Sequence, residues 1–229
     1  MKTIGVLGGI GPQATMDFEQ RVHRIAQRLV PQDFGYGYPP MVVWYCRHPP
    51  VIVKSDGRAE LPLRPDPRIL DAAAKLGPLC DFLAVACNSA HAFRDDLERA
   101  AGRRIVSMID ATLAEVRRRN WTRVGVLTFG DPSIYTHPLA HMNVACETLD
   151  DAAHRPLAAA IIHVMEGRNA DAEAAVARDT IATLRARGVD GVILGCTEIP
   201  VLLPDHEAVV DLINPIELLA EVAVRAALD

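Results

Sequence analysis

Short apolar runs alternate with longer amphipathic stretches along this chain. The first run, residues 3–7, stops at Gly8-Gly9, and a helical pattern follows from Pro12 to about Leu29, which reads as strand, turn and helix. Further strands are predicted at 41–45, 82–86, 105–108, 123–127, 189–194 and, as a fainter run, 208–212, each short, apolar and bounded by turn residues. Helical patterns separate most of them. Strands alternating with helices predict an α/β fold with mostly parallel sheets covered on both faces, and ligands then belong at the carboxyl ends of the strands. Residues 31–38 and 53–67, rich in Pro, Gly and charge, read as loops, the second long enough for a lid.

Three segment types occur twice in the same order. Ile4-Gly5-Val6-Leu7-Gly8-Gly9-Ile10-Gly11-Pro12 is matched by Val124-Gly125-Val126-Leu127-Thr128-Phe129-Gly130-Asp131-Pro132. Asp81-Phe82-Leu83-Ala84-Val85-Ala86-Cys87 is matched by Asp190-Gly191-Val192-Ile193-Leu194-Gly195-Cys196, each Asp six residues before its Cys. Ile105-Val106-Ser107-Met108-Ile109-Asp110 is matched by Val209-Val210-Asp211-Leu212-Ile213-Asn214, and Leu-Ala-Glu-Val follows both. The expected fold is therefore two similar Rossmann-like (flavodoxin-like) α/β domains related by a pseudo-two-fold axis. Residues 1–112 plus 213–229 would carry Cys87, and residues 113–212 would carry Cys196.

Composition narrows the partner. Half the residues are hydrophobic and 23% are charged, a globular balance. Lys plus Arg number 24 and Asp plus Glu 29, a net charge of −5, which argues against a nucleic-acid surface and for a small-molecule partner. No apolar run reaches the ~18 residues of a membrane span. Neither a basic leader nor a long apolar leader segment opens the sequence. The five cysteines form an odd set without metal-ligand spacing, so free thiols in a reducing cytoplasm are expected.

Cys87 is followed by Asn88-Ser89-Ala90-His91 and Cys196 by Thr197-Glu198-Ile199-Pro200. Both thiols are predicted where a helix begins, and the positive end of a helix dipole favours a thiolate. If the two halves face each other, the two thiols approach one substrate from opposite sides. One thiolate then removes an α-proton, and the opposing thiol returns a proton to the other face of the carbanion. Cys46, Cys80 and Cys146 lack this context and read as small buried hydrophobes. His91, four residues after Cys87, lies about one helical turn further on, where it touches the site or packs. His48, His137, His141, His154, His163 and His206 show no metal motif, although His137 and His141 stand at i and i+4.

At these residues the sequence resembles the aspartate/glutamate racemase superfamily, in particular its aspartate racemase branch, over essentially the whole chain. The markers are the segment from Ile4 to Thr15, Ala86-Cys87-Asn88-Ser89-Ala90-His91, and Gly195-Cys196-Thr197-Glu198-Ile199-Pro200. The resemblance implies racemisation without a cofactor, a site between two α/β domains, catalytic Cys87 and Cys196, and a homodimer. It further implies substrate contacts from Gly9, Asn88, Ser89, Thr128, Thr197 and Glu198, with Glu198 near the substrate amine or orienting the second thiol. The chain departs from the cell-wall glutamate racemases, which carry an Asp in the first glycine loop and a His where Glu198 stands. It also lacks the Pro-Asp-Arg stretch of aspartate-specific members, having Pro50-Val51-Ile52 there, with Arg47, Lys54 or Arg58 as replacement cations. Met165 stands in place of a frequent lysine. The turn Thr128-Phe129-Gly130-Asp131 replaces a Thr-Thr-Gly-Thr-like one. Aspartate or glutamate is the favoured substrate, with discrimination weaker than in typical relatives, because a second carboxylate without a paired cation is costly to bury.

Rival readings remain at this level. Gly9-Ile10-Gly11-Pro12-Gln13-Ala14 fits a loose dinucleotide-binding spacing, yet Tyr45, Cys46 and Arg47 stand where an NAD-dependent enzyme would carry an acidic residue after the next strand. Maleate isomerisation or arylmalonate decarboxylation would reuse the same cysteine positions. A non-catalytic binding protein would leave both thiols unexplained.

Overall fold

The computed structural model describes residues 1–55, 59–168 and 171–229. In chain order its elements are β1 (Ile4–Gly8), α1 (Pro12–Leu29), β2 (Met41–Tyr45), α2 (Pro67–Leu76), β3 (Phe82–Val85), α3 (Arg94–Ala101), β4 (Ile105–Val106), α4 (Met108–Arg118), β5 (Arg123–Leu127), α5 (Ser133–His141), β6 (Ala145–Glu147), α6 (Asp151–Met165), α7 (Asp171–Ala186), β7 (Gly191–Leu194), α8 (Ile199–Leu202), β8 (Leu212–Ile213) and α9 (Pro215–Leu228). The chain divides into two compact units, Met1–Met108 with Ile216–Asp229, and Ile109–Pro215. The first holds a parallel sheet in the order β2-β1-β3-β4, and the second a parallel sheet in the order β6-β5-β7-β8. Strand for strand the two orders are the same, and the fold is α/β with two similar domains.

In the first unit the alternation along each strand sends side chains to two cores. Ile4, Val6 and Ala84 join Phe18, Val22 and Ile25 of α1 and Leu219, Ala223 and Val224 of α9. Leu7, Leu83 and Val85 join Ile69, Ala73 and Leu76 of α2 and Leu97 of α3 on the other face. The α1 residues follow a spacing of four and three, the apolar stripe of a packed helix. Each such side chain contributes about 1.5–3 kcal/mol when fully buried. Because α1 leaves β1 toward one face and α3 follows β3 on the other, the chain parts between the carboxyl ends of β1 and β3. In open parallel sheets this switch point is where ligands bind. The second unit repeats the arrangement. Leu127, Leu194 and Cys196 pack with Leu157 and Ile161 of α6 and Ile181 and Leu184 of α7, whereas Gly195 faces Tyr135 of α5.

The Asp that recurs six residues before each Cys pins the entry to its strand pair. Asp81 N–H donates to Thr3 O at 3.0 Å, and Thr3 N–H donates back to Asp81 Oδ2 at 2.6 Å. Asp190 N–H donates to Arg123 O at 2.7 Å, and its Oδ2 accepts from Arg123 N–H at 2.9 Å and Thr122 N–H at 2.6 Å. The registers agree as well: Ile4 pairs with Phe82 and Leu7 with Val85, as Val124 pairs with Gly191 and Leu127 with Leu194.

The third repeated segment matches in order but not in register. Ile105 pairs with Leu83, and its counterpart opposite Val192 is Leu212 rather than Val209. Residues 209–211 are not strand: Leu212 N–H donates to Val209 O across a turn that leaves Val210 exposed. The strand expected at 105–108 ends at Val106, since Met108 opens α4. Strand β6, three residues long, has no counterpart among the predicted strands.

Candidate active site

The first unit brings its predicted site residues to the ends of β1 and β3. Gly9 adopts φ +74°, and a Cβ there would lie 2.5 Å from Tyr45 Cα and 2.8 Å from Cys46 N, so only glycine fits. Gly9 N–H donates to Thr15 Oγ1 at 2.8 Å, and that hydroxyl donates to Gly11 O at 3.1 Å, locking the turn onto the start of α1. Across from it, Ala86 N–H donates to Leu7 O, and Cys87 follows, 9% exposed. Its Sγ lies 3.4 Å from Ser89 Oγ, and the intervening residue in sequence, Asn88, is buried. His91 Nε2 donates to Val85 O at 3.2 Å, so this imidazole ties the turn that carries Cys87 back to β3.

In the second unit Cys196 is 7% exposed, with Thr197 and Glu198 buried beside it. The Cys196 thiol donates to Glu198 Oε2 at 3.1 Å, and Thr197 Oγ1 donates to the same oxygen at 3.1 Å. Thr128, at the end of β5, has its hydroxyl donated to Gly130 O at 2.7 Å, and its carbonyl accepts from His154 Nε2 at 2.9 Å. Sequence reasoning set His154 aside because it lacks a metal motif, yet it anchors the Thr128 turn from α6. Tyr135 was also missed. It is fully buried, hydrogen-bonded to Thr112 and within electrostatic reach of Cys196. Burial pushes its hydroxyl well above the ordinary tyrosine range. The repeat held the signal, since Tyr135 stands to Val124 as Thr15 stands to Ile4.

One expectation is corrected. Neither thiol opens a long helix: a five-residue 3-10 turn, Ser89–Phe93, precedes α3, and α8 has four residues. A dipole built from short helical segments contributes little to a thiolate, whereas the side chains two residues on, Ser89 and Glu198, stand within hydrogen-bond distance of the two thiols. Of the proposed replacement cations, Arg47 stacks over the Tyr45 ring at 4.9 Å, Lys54 is exposed, and Arg58 lies outside the described residues. Met165 packs against the α6–α7 core.

The remaining cysteines are poor bases. Burial pushes the Cys46 thiol up to about 11, with the neighbouring Cys87 adding to the shift, and burial likewise raises Cys80 and takes Cys146 up to about 11. Among the described residues no cluster of His, Cys, Asp and Glu is arranged to hold a metal, and no helix is long and apolar enough to cross a membrane.

The family model for Asp/Glu/hydantoin racemases matches residues 7–223, nearly the whole chain. This chain belongs to that family. The broad specificity amino-acid racemase RacX of Bacillus subtilis is 29% identical over 117 residues, a stretch that spans 49% of this chain and 48% of RacX, about half of each. Two solved structures share the fold over almost the full length. An aspartate racemase homologue from Pyrococcus horikoshii has a TM-score of 0.77 at 23% identity, with both chains covered completely. The Picrophilus torridus aspartate racemase has a TM-score of 0.77 at 24% identity, covering 99% of this chain and 94% of its own.

Proposed function

We propose that this protein is a cofactor-independent amino-acid racemase in which Cys87 and Cys196 act on opposite faces of the α-carbon. One observation carries the reading. In two sheets of identical strand order, the residue two positions past the end of the equivalent strand is a cysteine, and each has a hydrogen-bonding side chain two residues on. Single buried cysteines are common, but a pair at equivalent ligand-binding switch points is what a two-base inversion needs.

The proposed step balances in both directions. A Cys87 thiolate takes the α-proton from one enantiomer and becomes a thiol. The planar carbanion then receives the proton of the Cys196 thiol on its other face, leaving Cys196 as thiolate. The mirror-image substrate runs the same exchange backwards. Glu198 accepts the resting Cys196 thiol proton, which fits Cys196 starting as the acid. Asn88, Ser89 and Thr197, with the Gly9 turn, supply donors for the α-carboxylate, and Thr128 shapes the turn opposite. The thiols provide both acid and base, so the chemistry calls for neither pyridoxal phosphate nor metal. A small amino acid or α-substituted acid as substrate, a homodimer and a reducing cytoplasm complete the reading.

Single enantiomers incubated in deuterated water without added cofactor test it. Racemisation should place deuterium at the α-carbon of the mirror-image product. Inversion that depends on added NAD, or loss of turnover after chelation with recovery on one metal, would overturn the proposal.

A further inference from the structure

The two thiol-bearing strand ends differ sharply at one position. The last ladder pairs are Leu7 with Val85 and Leu127 with Leu194. Continued two residues, the parallel register sets Gly9 abreast of Cys87 and Phe129 abreast of Cys196. Close contact at the second end supports this continuation: a Cβ on Gly195 would lie 2.8 Å from Leu127 O and 3.1 Å from Thr128 Cγ2. Where the first unit has no side chain at all, the second presents an aromatic ring that is 45% exposed.

The turn bearing that ring is held firmly, and its charge has one sign. Thr128 Oγ1 closes onto Gly130 O, His154 holds Thr128 O, and Asp131 accepts from Ser133 N–H at 2.9 Å and from Ser133 Oγ at 2.8 Å. Asp131 forms no ion pair among the described residues. A substrate side chain arriving beside Cys196 therefore meets an apolar face and a carboxylate. For an acidic side chain this means lost hydration and like-charge repulsion from Asp131, with no cation on that turn to offset either. For an apolar one it means removal of two apolar surfaces from water.

We propose that Phe129 is a specificity-determining residue that selects amino acids with uncharged, apolar side chains. The inference rests on the racemase reading and moves the substrate class away from aspartate and glutamate. Its test is kcat/KM for leucine and for aspartate in the wild type, Phe129→Ala and Asp131→Asn proteins, with α-deuterium incorporation followed alongside. The wild type should favour leucine. Phe129→Ala should lower the leucine-to-aspartate ratio about tenfold or more, the scale of losing a hydrophobic pocket contact, and Asp131→Asn should lower it by raising aspartate turnover. A wild type that favours aspartate, or a ratio unchanged in Phe129→Ala, would overturn the inference and leave the racemase reading standing. A Phe129→Ala protein that fails to fold would make the ring structural and overturn it too. Failure of the wild type to racemise any amino acid or exchange its α-proton would overturn the underlying reading, and this inference with it.

Discussion

Glu198 accepts the Cys196 thiol proton at 3.1 Å from the position that, in the first unit, belongs to the Ser89 hydroxyl, 3.4 Å from Cys87. Two thiols in equivalent frames thus have unlike partners, a carboxylate and a hydroxyl. A carboxylate beside a thiol disfavours the thiolate by like charge, whereas a hydroxyl can donate to it. Glu198→Gln should therefore speed alkylation of Cys196 at fixed pH while slowing racemisation about 100-fold or more, the range of a lost acid–base partner. Peptide-resolved iodoacetamide labelling, set against racemisation rates, checks both halves. Slower labelling of Cys196 in the variant would contradict the charge argument.

Much of this was legible in the sequence where apolar runs are long and cleanly bounded. Residues 41–45 and 123–127 are strands as read, and α1 runs from Pro12 to Leu29. Register failed where local apolarity misled. Val209 and Val210 look like strand, but the turn closed by Leu212 N–H puts Val210 in solvent and starts β8 at Leu212. Strand β6, Ala145–Glu147, is too short and mixed for a period-two pattern to register. Cys87 and Cys196 could be singled out because the repeat made them equivalent. His154 acts through a contact between distant elements, to Thr128 O, which no local pattern encodes, and Tyr135, bonded to Thr112, is visible only through its place in the repeat.

Gly9 gives the sharpest stability prediction. Gly9→Ala places a Cβ against Tyr45 Cα and Cys46 N and holds alanine at φ +74°. Left-handed backbone alone costs a non-glycine residue about 1–2 kcal/mol, and the contact is with backbone, which cannot swing aside. Urea unfolding should show a loss of about 2 kcal/mol or more, with activity falling as the turn opposite Cys87 shifts. A midpoint equal to wild type would show the turn to be looser than this geometry implies.

Acid stability turns on Asp66. Its Oδ1 caps α2 by accepting from Arg68 N–H at 2.8 Å, and its two oxygens grip the Arg68 guanidinium at 2.9 and 2.6 Å. Those side-chain hydrogen bonds, against the opposing effect of burial, hold the carboxyl down to about 2. A depressed folded-state pKa gives stability that is present above the ordinary carboxylate range and lost as pH falls toward 2. Arg68 is largely exposed, so solvent screening leaves most of the effect to the helix cap, about 1 kcal/mol. Asp66→Asn, which keeps a capping oxygen but not the charge, should be less stable than wild type at pH 7, and the gap should close near pH 2. Parallel denaturation curves at both pH values measure it, and a gap that widened in acid would reverse the sign.

Separate roles for the two thiols lead to the most demanding prediction. If each serves one face of the α-carbon, neither Cys87→Ser nor Cys196→Ser should racemise. A lone thiol can still remove and return a proton on its own face, so each variant should exchange the α-proton of one enantiomer into deuterated water without inverting it. The two variants should exchange opposite enantiomers. Exchange will be slower than wild-type turnover, because catalytic groups acting as a unit are not additive, and the thiolate share at each site depends on its own neighbour, Ser89 or Glu198. In Cys87→Ser the surviving thiol keeps the Glu198 contact, so its exchange should be the more sensitive of the two to Glu198→Gln. Mass spectrometry of the recovered enantiomers reads all of these outcomes from the same incubations. Wild-type racemisation in either variant, or equal exchange of the same enantiomer by both, would mean that the two cysteines do not divide the faces of the substrate between them.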